Sequence, residues 1–225
     1  MPPVARIQET LSNVKERFNL LVLLRHAERY EITNPTIGEH ILLTPRGEQQ
    51  AYQLGIALGM HTPIRIFHSP VPRCRQTAEH LFSGLKEQGA EAFIEGAREF
   101  LAMPYLLDLQ HALRLARDFG PPLFIRKWFD GKLPDGIAEE SRQAAAKVLR
   151  YLIASLQLTG QGMQIHVTHD WNILLLWECF LGLRCEVHEW PGYLDGMIVL
   201  LKGNSVTLMY QQHRRAFDLQ SIAAA

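Results

Sequence analysis

The segment Leu20-Leu21-Val22-Leu23-Leu24-Arg25-His26-Ala27-Glu28-Arg29 places five consecutive apolar residues directly before a basic cluster. A continuous apolar run of this length is typical of a strand that is buried on both faces. Strands of this kind occur in parallel sheets that helices cover on both sides. The segment therefore predicts a buried strand over 20–24, with Arg25, His26 and Arg29 directly beyond its carboxyl end.

The rest of the chain alternates between helical and strand patterns. Helices are predicted over 3–17, 45–59, 71–88, 105–119, 138–157 and 171–181, and strands over 64–68, 92–94, 163–168, 196–201 and 205–210. Residues 121–135 are predicted to be irregular, and 221–225 to form a frayed tail. This alternation predicts a three-layer α/β/α fold with a mostly parallel central sheet. The 225 residues suit a single domain over 1–225, with an insertion or cap at about 96–136.

Composition limits the classes of function that fit the chain. Lys+Arg and Asp+Glu both number 23, a balance that argues against a protein whose main task is binding nucleic acid or acidic membranes. The three cysteines, Cys74, Cys179 and Cys185, form no disulfide framework, and no apolar run reaches the roughly 20 residues that span a bilayer. We therefore expect a cytoplasmic protein with no membrane or nucleic-acid partner, and the sequence predicts no oligomeric state.

Three predicted strands end in polar residues. Arg25 and His26 follow the first, Ser69 leads from the second towards Arg73, and His169 and Asp170 follow a third. In open α/β sheets, ligands bind just beyond the carboxyl ends of the strands. We therefore expect these side chains to converge on one site.

The residue types at this site fit phosphoryl transfer. Arginine donates paired hydrogen bonds to a phosphate, and converging arginines repel one another unless a dianion lies between them. A neutral imidazole can attack phosphorus, and nearby arginines lower its pKa and keep it unprotonated. The leaving alkoxide needs a proton from a carboxylic acid, for which Asp170 and Glu99 are candidates. The arginines on either side of Cys74 are likewise expected to lower the pKa of its thiol.

Other site chemistries lack their motifs. The chain contains no GxxxxGK[ST] phosphate loop, no GxGxxG after a strand, no HExxH and no GxSxG. His166 and His169 are the only two histidines with plausible ligand spacing, and a strand would point them to opposite sides. We therefore predict neither a metal nor a cofactor.

Four segments resemble the histidine phosphatase (phosphoglycerate mutase-like) superfamily, in the order of that family. Residues 23–29, LLRHAER, resemble its RHG signature, and residues 43–51, LTPRGEQQA, resemble its LTxxGxxQA segment. Residues 69–78, SPVPRCRQTA, match its SPxxRxxQTA segment, and residues 167–169, VTH, resemble its late strand ending in a second active-site histidine. The resemblance covers residues 20 to about 200.

The resemblance implies roles for individual residues. His26 would be the phosphorylated nucleophile, Arg25 and Arg73 would bind phosphoryl oxygens, and His169 would complete the pocket. Ala27 stands where the family usually has glycine.

The site also has features of the histidine acid phosphatase branch. The His169-Asp170 pair and the spacing of Arg25 and Arg29 resemble that branch, in which the aspartate donates the proton and the second arginine contacts phosphate. Glu99 resembles the glutamate donor of the mutase branch. We favour Asp170 as the donor and keep Glu99 as the alternative.

The sequence predicts a phosphatase that acts on a phosphate monoester through a phosphohistidine. A phosphoglycerate-type mutase is the first alternative, although the Arg and Tyr-Gly that follow the mutase glutamate are absent after Glu99. An inactive module that binds a phosphorylated ligand is the second. The predicted partner is a small phosphorylated substrate, with a phosphopeptide left open.

Overall fold

In a computed structural model of the chain, residues 3–12, 14, 19–32, 38, 40–59, 62–159 and 162–223 are described. Seven strands form one sheet: β1 (Leu20–Arg25), β2 (Ile64–His68), β3 (Ala92–Ala97), β4 (Met163–Thr168), β5 (Gly196–Lys202), β6 (Ser205–Tyr210) and β7 (His213–Asp218). Their order is β3-β2-β4-β1-β5-β6-β7. The first four in this order pair in parallel, and β5, β6 and β7 continue as an antiparallel meander. The predicted α/β fold with a mostly parallel centre is confirmed.

Helices cover both faces of the sheet. They are α1 (Pro3–Ser12), α2 (Pro45–Leu58), α3 (Pro72–Glu87), α4 (Leu109–Phe119), α5 (Pro121–Phe129), α6 (Ser141–Thr159), α7 (Asp170–Leu176) and α8 (Leu219–Ala223). Leu20, Val22 and Leu24 pack in the core beneath α1, α2 and α3. Leu21 and Leu23 face the opposite core, formed with α6 and α7. The apolar run of β1 is continuous because each of its faces meets a helical layer.

Helix α5 corrects the prediction of an irregular stretch at 121–135. It begins with Pro121-Pro122 after Gly120, and proline suits the first turn of a helix, where the backbone N–H has no intrahelical partner. Phe124, Ile125 and Trp128 then form a buried face. The two prolines mark the start of this helix, not a break in structure.

Several boundaries also differ from the prediction. Helix α4 begins at Leu109, because the side chain of Asp108 caps it by accepting a hydrogen bond from the His111 backbone N–H at 2.9 Å. Strand β3 extends to Ala97, and the chain after α7 continues as a π-helix over Trp177–Leu181. Strand β7 was not predicted. Residues 221–223 belong to α8, which corrects the frayed tail there, while 224–225, 13 and 15–18 lie outside the described residues.

Three glycines bring α2 and α3 close to each other and to the segment after β1. A Cβ on Gly55 would lie 2.1 Å from the Leu81 carbonyl oxygen, and one on Gly84 would lie 2.1 Å from that of Tyr52. A Cβ on Gly47 would lie 2.0 Å from the Glu28 carbonyl oxygen. No larger residue fits these contacts without a shift of backbone, so they fix α2 against α3 and against the segment after β1.

Within the described part of the chain, no helix combines the length and the apolar character that crossing a membrane requires.

Candidate active site

The residues that follow β1, β2 and β4 meet at one edge of the sheet. The His26 backbone N–H donates to the Thr168 carbonyl at 2.9 Å, and the Ser69 N–H donates to the Val167 carbonyl at 2.9 Å. These bonds continue the parallel ladders one residue beyond the strands. The predicted convergence of His26, Arg73 and His169 is therefore observed.

His26 is buried, with its ring held in one orientation. Its Nδ1 lies 2.8 Å from the Ala27 carbonyl oxygen, and because a carbonyl only accepts, Nδ1 carries the proton. Nε2 then holds the lone pair, which accepts a hydrogen bond from Arg73 Nε at 3.1 Å. Burial, followed by the charge of Arg73, holds the pKa of His26 well below its usual value. The imidazole is therefore neutral at neutral pH.

Arg73 links the two histidines. It lies in the first turn of α3, where its Nη1 donates to the Gly38 carbonyl at 2.9 Å and its Nη2 lies 3.3 Å from His169 Nδ1. His169 Nε2 lies 3.2 Å from Ser69 Oγ, and the His26 and His169 rings are 5.6 Å apart between centroids. Burial, followed by the charge of Arg73, lowers the pKa of His169.

Arg25 forms the opposite wall and is held by three groups. Its Nη2 lies 2.9 Å from Asp170 Oδ2, its Nη1 donates to the Pro191 carbonyl, and its guanidinium lies 4.4 Å from the centre of the Tyr193 ring. Asp170 Oδ2 also accepts a hydrogen bond from Trp190 Nε1 at 2.9 Å. Arg25 Nε is buried and has no hydrogen-bond partner among the described residues, so this N–H is an unsatisfied donor next to the pocket.

Thr77 joins the segment after β1 to α3. Its hydroxyl accepts a hydrogen bond from the Ala27 backbone N–H at 3.0 Å and donates to the Arg73 carbonyl at 2.7 Å. One buried side chain thus fixes both the residue after His26 and the turn that carries Arg73.

Arg29 and Glu99 lie further out. Arg29 is half-buried, pairs through its backbone with Leu43, and donates from its side chain to the Tyr30 carbonyl at 2.8 Å. Its charge contributes to the low pKa of both Arg73 and His169, so it lies near the pocket. Glu99 is exposed at the start of the 3₁₀ helix Glu99–Ala102. The structure thus places neither residue in direct contact with His26.

That 3₁₀ helix crosses the end of β4. The Leu101 carbonyl in it accepts a hydrogen bond from the Thr168 hydroxyl at 2.8 Å, and Thr168 directly precedes His169. Glu99 therefore lies on a segment that borders the pocket.

The pKa of Cys74 corrects one expectation. Burial raises the pKa of this thiol to about 12, and this effect exceeds the opposing charge of Arg73. Arg75 points away from the pocket, with 60% of its side chain exposed and Glu79 3.7 Å away. Across the described ranges, no three His, Cys, Asp or Glu side chains are grouped so that they could hold a metal ion.

Sequence reasoning did not find Thr77, Trp190 or Tyr193. Thr77 lies inside the quoted segment 69–78, so its place in the motif was a usable signal. Trp190 and Tyr193 flank Pro191-Gly192 shortly before β5. In this stretch, the two aromatic residues on either side of Pro-Gly were the signal that could have indicated a functional loop.

Comparisons with known proteins bear on this site. A family model described as histidine phosphatase superfamily (branch 1) matches residues 21–193. That match does not confirm the acid-phosphatase features expected at Arg29 and Asp170. No curated protein matches the sequence.

Solved structures share the fold. A mycobacterial protein described as hydrolase 2 is 21% identical, with a TM-score of 0.60 and coverage of 93% of this chain and 98% of its own. A mycobacterial glucosyl-3-phosphoglycerate phosphatase is 23% identical, with a TM-score of 0.55 and coverage of 81% and 90%. Phosphoglycerate mutase from Bacillus anthracis is 14% identical, with a TM-score of 0.56 and coverage of 97% and 98%. At these identities the likeness shows the fold alone.

Proposed function

The chain belongs to the histidine phosphatase superfamily (branch 1), and we propose that it hydrolyses a phosphate monoester through a covalent phosphohistidine on His26. One observation carries the proposal: the Ala27 carbonyl fixes the proton of His26 on Nδ1, so the Nε2 lone pair faces the arginines. A neutral imidazole in this tautomer is a competent nucleophile towards phosphorus.

In the proposed first step, His26 Nε2 attacks phosphorus and the bond from phosphorus to the ester oxygen breaks. The departing oxygen takes a proton from a carboxylic acid. In the second step, that carboxylate takes a proton from water, the water oxygen attacks phosphorus, and the bond from phosphorus to His26 Nε2 breaks, which releases inorganic phosphate and regenerates the free imidazole and the carboxylic acid. The hydrogen bond from Arg73 Nε to His26 Nε2 passes to a phosphoryl oxygen when substrate binds, because that lone pair forms the new bond.

Arginines supply most of the proposed phosphate binding. Arg73 has three N–H groups at the pocket, and Arg25 has a buried Nε–H with no partner among the described residues. His169 completes the pocket beside His26, and Arg29 contributes charge from further out. Preorganised donors of this kind stabilise the charge that develops in the transition state.

The identity of the proton donor is a separate part of the proposal. Asp170 is the sequence-based choice, and it stays a prediction. Its Oδ2 is already bound by both Arg25 and Trp190. Among the ion pairs of the described residues Glu99 has no arginine partner, and its segment borders the pocket, so the contacts favour Glu99.

The substrate we propose is a small phosphorylated molecule, and the phosphatases among the structural neighbours support this class. The three cysteines are free, which fits the reducing cytoplasm that the sequence predicts. A mutase remains the second candidate function, since a phosphoglycerate mutase shares the fold.

A direct experiment compares an aryl phosphate with 3-phosphoglycerate plus its bisphosphate, and measures turnover and acid-labile phosphate on the protein. We expect hydrolysis of the aryl phosphate and loss of both signals in His26→Ala. His111→Ala is the control, because this histidine is 41% exposed on α4. Hydrolysis that survives His26→Ala overturns the nucleophile assignment, and mutase turnover above hydrolysis favours the mutase. Phosphate binding without turnover would indicate the inactive module.

The donor is tested with Asp170→Asn and Glu99→Gln on aryl and alkyl phosphates. An alkoxide is a poor leaving group and needs the proton, whereas an aryl oxide does not. Loss of the true donor therefore slows alkyl ester hydrolysis far more than aryl ester hydrolysis. We expect this selective loss in Glu99→Gln, and its appearance only in Asp170→Asn would restore the sequence-based choice.

A further inference from the structure

The loop Trp190–Asp195 lies between the π-helix and β5 and carries no recognised motif. It nevertheless makes several contacts with the proposed phosphate pocket. Its Pro191 carbonyl accepts from Arg25 Nη1, and its Tyr193 ring lies 4.4 Å from the Arg25 guanidinium and 5.7 Å from the His26 ring centre. The Asp195 carbonyl accepts from the Arg25 backbone N–H at 2.9 Å. Both the backbone and the side chain of Arg25 therefore depend on this loop.

The loop is itself firmly anchored. The Asp195 carboxylate accepts from the Tyr210 hydroxyl at 2.6 Å and from the Gly196 N–H at 2.9 Å. Leu194 is buried, and its backbone N–H donates to the His26 carbonyl at 3.4 Å. An anchored loop can hold its remaining contacts in one geometry.

Trp190 also reaches Arg25, but it does so through the side chain of Asp170. Its indole Nε1–H donates to Asp170 Oδ2, the same oxygen that lies 2.9 Å from Arg25 Nη2. The other oxygen of this carboxylate, Oδ1, accepts a hydrogen bond from the Trp171 backbone N–H at 3.0 Å, and the indole N–H adds a donor on Oδ2, the oxygen that Arg25 binds. The indole thereby fixes the oxygen that in turn orients the guanidinium.

We propose that Trp190 is a positioning residue of the phosphate pocket, which acts through the Asp170 carboxylate to hold the Arg25 guanidinium in the orientation that binds a phosphoryl oxygen. The inference rests on the proposed function, since it presumes that the pocket binds phosphate. According to this inference, the indole N–H of Trp190 contributes to phosphate affinity, and this contribution is separate from the packing of the Trp190 ring.

The test uses the full chain and inorganic phosphate as the probe, with affinity measured by isothermal titration calorimetry. Trp190→Phe keeps an aromatic ring and removes the N–H. We expect the Kd for phosphate to rise about fivefold and kcat/KM for an aryl phosphate to fall by a similar factor, as expected for one hydrogen bond. The matched control is Trp128→Phe, which removes an indole N–H that donates to the Glu139 carbonyl at 2.8 Å. It should lower thermal stability and leave the Kd within a factor of about two.

A double-mutant cycle tests the route through Asp170. If Trp190 acts through this carboxylate, Trp190→Phe has no further effect on the Kd in an Asp170→Ala background. Effects that multiply in the double variant, or a Kd unchanged in Trp190→Phe alone, overturn the inference while the phosphatase proposal stands. Failure of the wild-type protein both to bind phosphate and to hydrolyse the aryl ester overturns the proposed function and this inference with it.

Discussion

Arg73 Nε donates a hydrogen bond to His26 Nε2 at 3.1 Å, so the lone pair that we propose as the nucleophile is held by the group that we propose to bind the phosphate. The guanidinium thus reaches both the attacking atom and the region that the phosphoryl oxygens would occupy. A change at Arg73 should therefore affect both the binding of the phosphoryl group and the orientation of the proposed nucleophile.

Arg73→Met should lower kcat/KM for an aryl phosphate by about 100- to 1000-fold, because it removes preorganised donors to the transition state. Steady-state kinetics measure this effect. Arg75→Met provides a control two residues along the same helix, since Arg75 is exposed and pairs with Glu79 on the same helix. It should change kcat/KM by less than about twofold. Equal losses in the two variants would contradict the assignment of Arg73.

Thr77→Val removes a hydroxyl and retains the shape of the side chain. The Ala27 N–H then loses its buried partner, so the free energy of unfolding should fall by about 2 kcal/mol in urea titrations. We also expect kcat/KM to fall, because the Ala27 carbonyl that orients His26 belongs to the same residue.

Thr77→Ser is the control for that variant. It keeps the hydroxyl and loses a buried methyl group, so it should cost about 1 kcal/mol of stability. Its kcat/KM should stay within about twofold of the wild-type value. If Thr77→Val retained full activity, Thr77 would serve packing alone.

Stability should depend on pH through His166. Burial, followed by the charge of Arg98, lowers the pKa of this histidine from 6.5 to about 3. Below pH 6.5, His166 therefore binds a proton in the unfolded chain but stays neutral in the folded chain. The free energy of unfolding consequently falls as the pH decreases from 6.5 towards 3. The contribution at pH 5 is about 2 kcal/mol.

Urea unfolding of the wild type and of His166→Gln at pH 7.5 and 5 measures that contribution. The variant should lose less stability between the two pH values. It retains part of the dependence, because the pKa values of His26 and His169 are also lowered. A pH dependence that is identical in the two proteins would exclude His166 as a source.

Arg126 joins α5 to the π-helix and should contribute to stability. It donates to both oxygens of Glu178 at 2.9 and 2.7 Å, and also contacts Glu186 and Asp130. Arg126→Met leaves three carboxylates close together, so the free energy of unfolding should fall by about 2 kcal/mol.

The control is Arg117→Met, since Arg117 is 58% exposed and pairs only with its neighbour Asp118 among the ion pairs of the described residues. This change should cost less than about 0.5 kcal/mol. The difference between the two variants should shrink in 1 M NaCl, because salt screens the carboxylates. Equal stabilities would show that the Arg126 contacts contribute nothing.

The sequence predicted the core of the site because the relevant signals are local. The apolar run of β1 ends at Arg25, and β4 ends at Thr168, directly before His169, so strand positions alone place both residues at one edge of the sheet. Arg73 followed from the helix that begins after Pro70.

The remaining features depend on contacts that no local pattern records. Trp190 contacts Asp170 from 20 residues away, through a loop that has neither helical nor strand periodicity. The thiol of Cys74 was misjudged because its flanking arginines are visible in the sequence, whereas the degree of its burial is not. Helix α5 was missed because proline at a first turn resembles proline in a loop.

Strand β4 lies between β1 and β2 in the sheet, although it follows both in the chain. Arg25, His26 and Arg73 are therefore synthesised early, yet the strand that sets their spacing emerges from the ribosome only after residue 168. A nascent chain therefore carries the proposed nucleophile and the proposed phosphate-binding arginines for much of translation without a formed pocket. Under the proposed function, phosphate affinity therefore depends on complete long-range sheet pairing, the slowest kind of contact to form during folding.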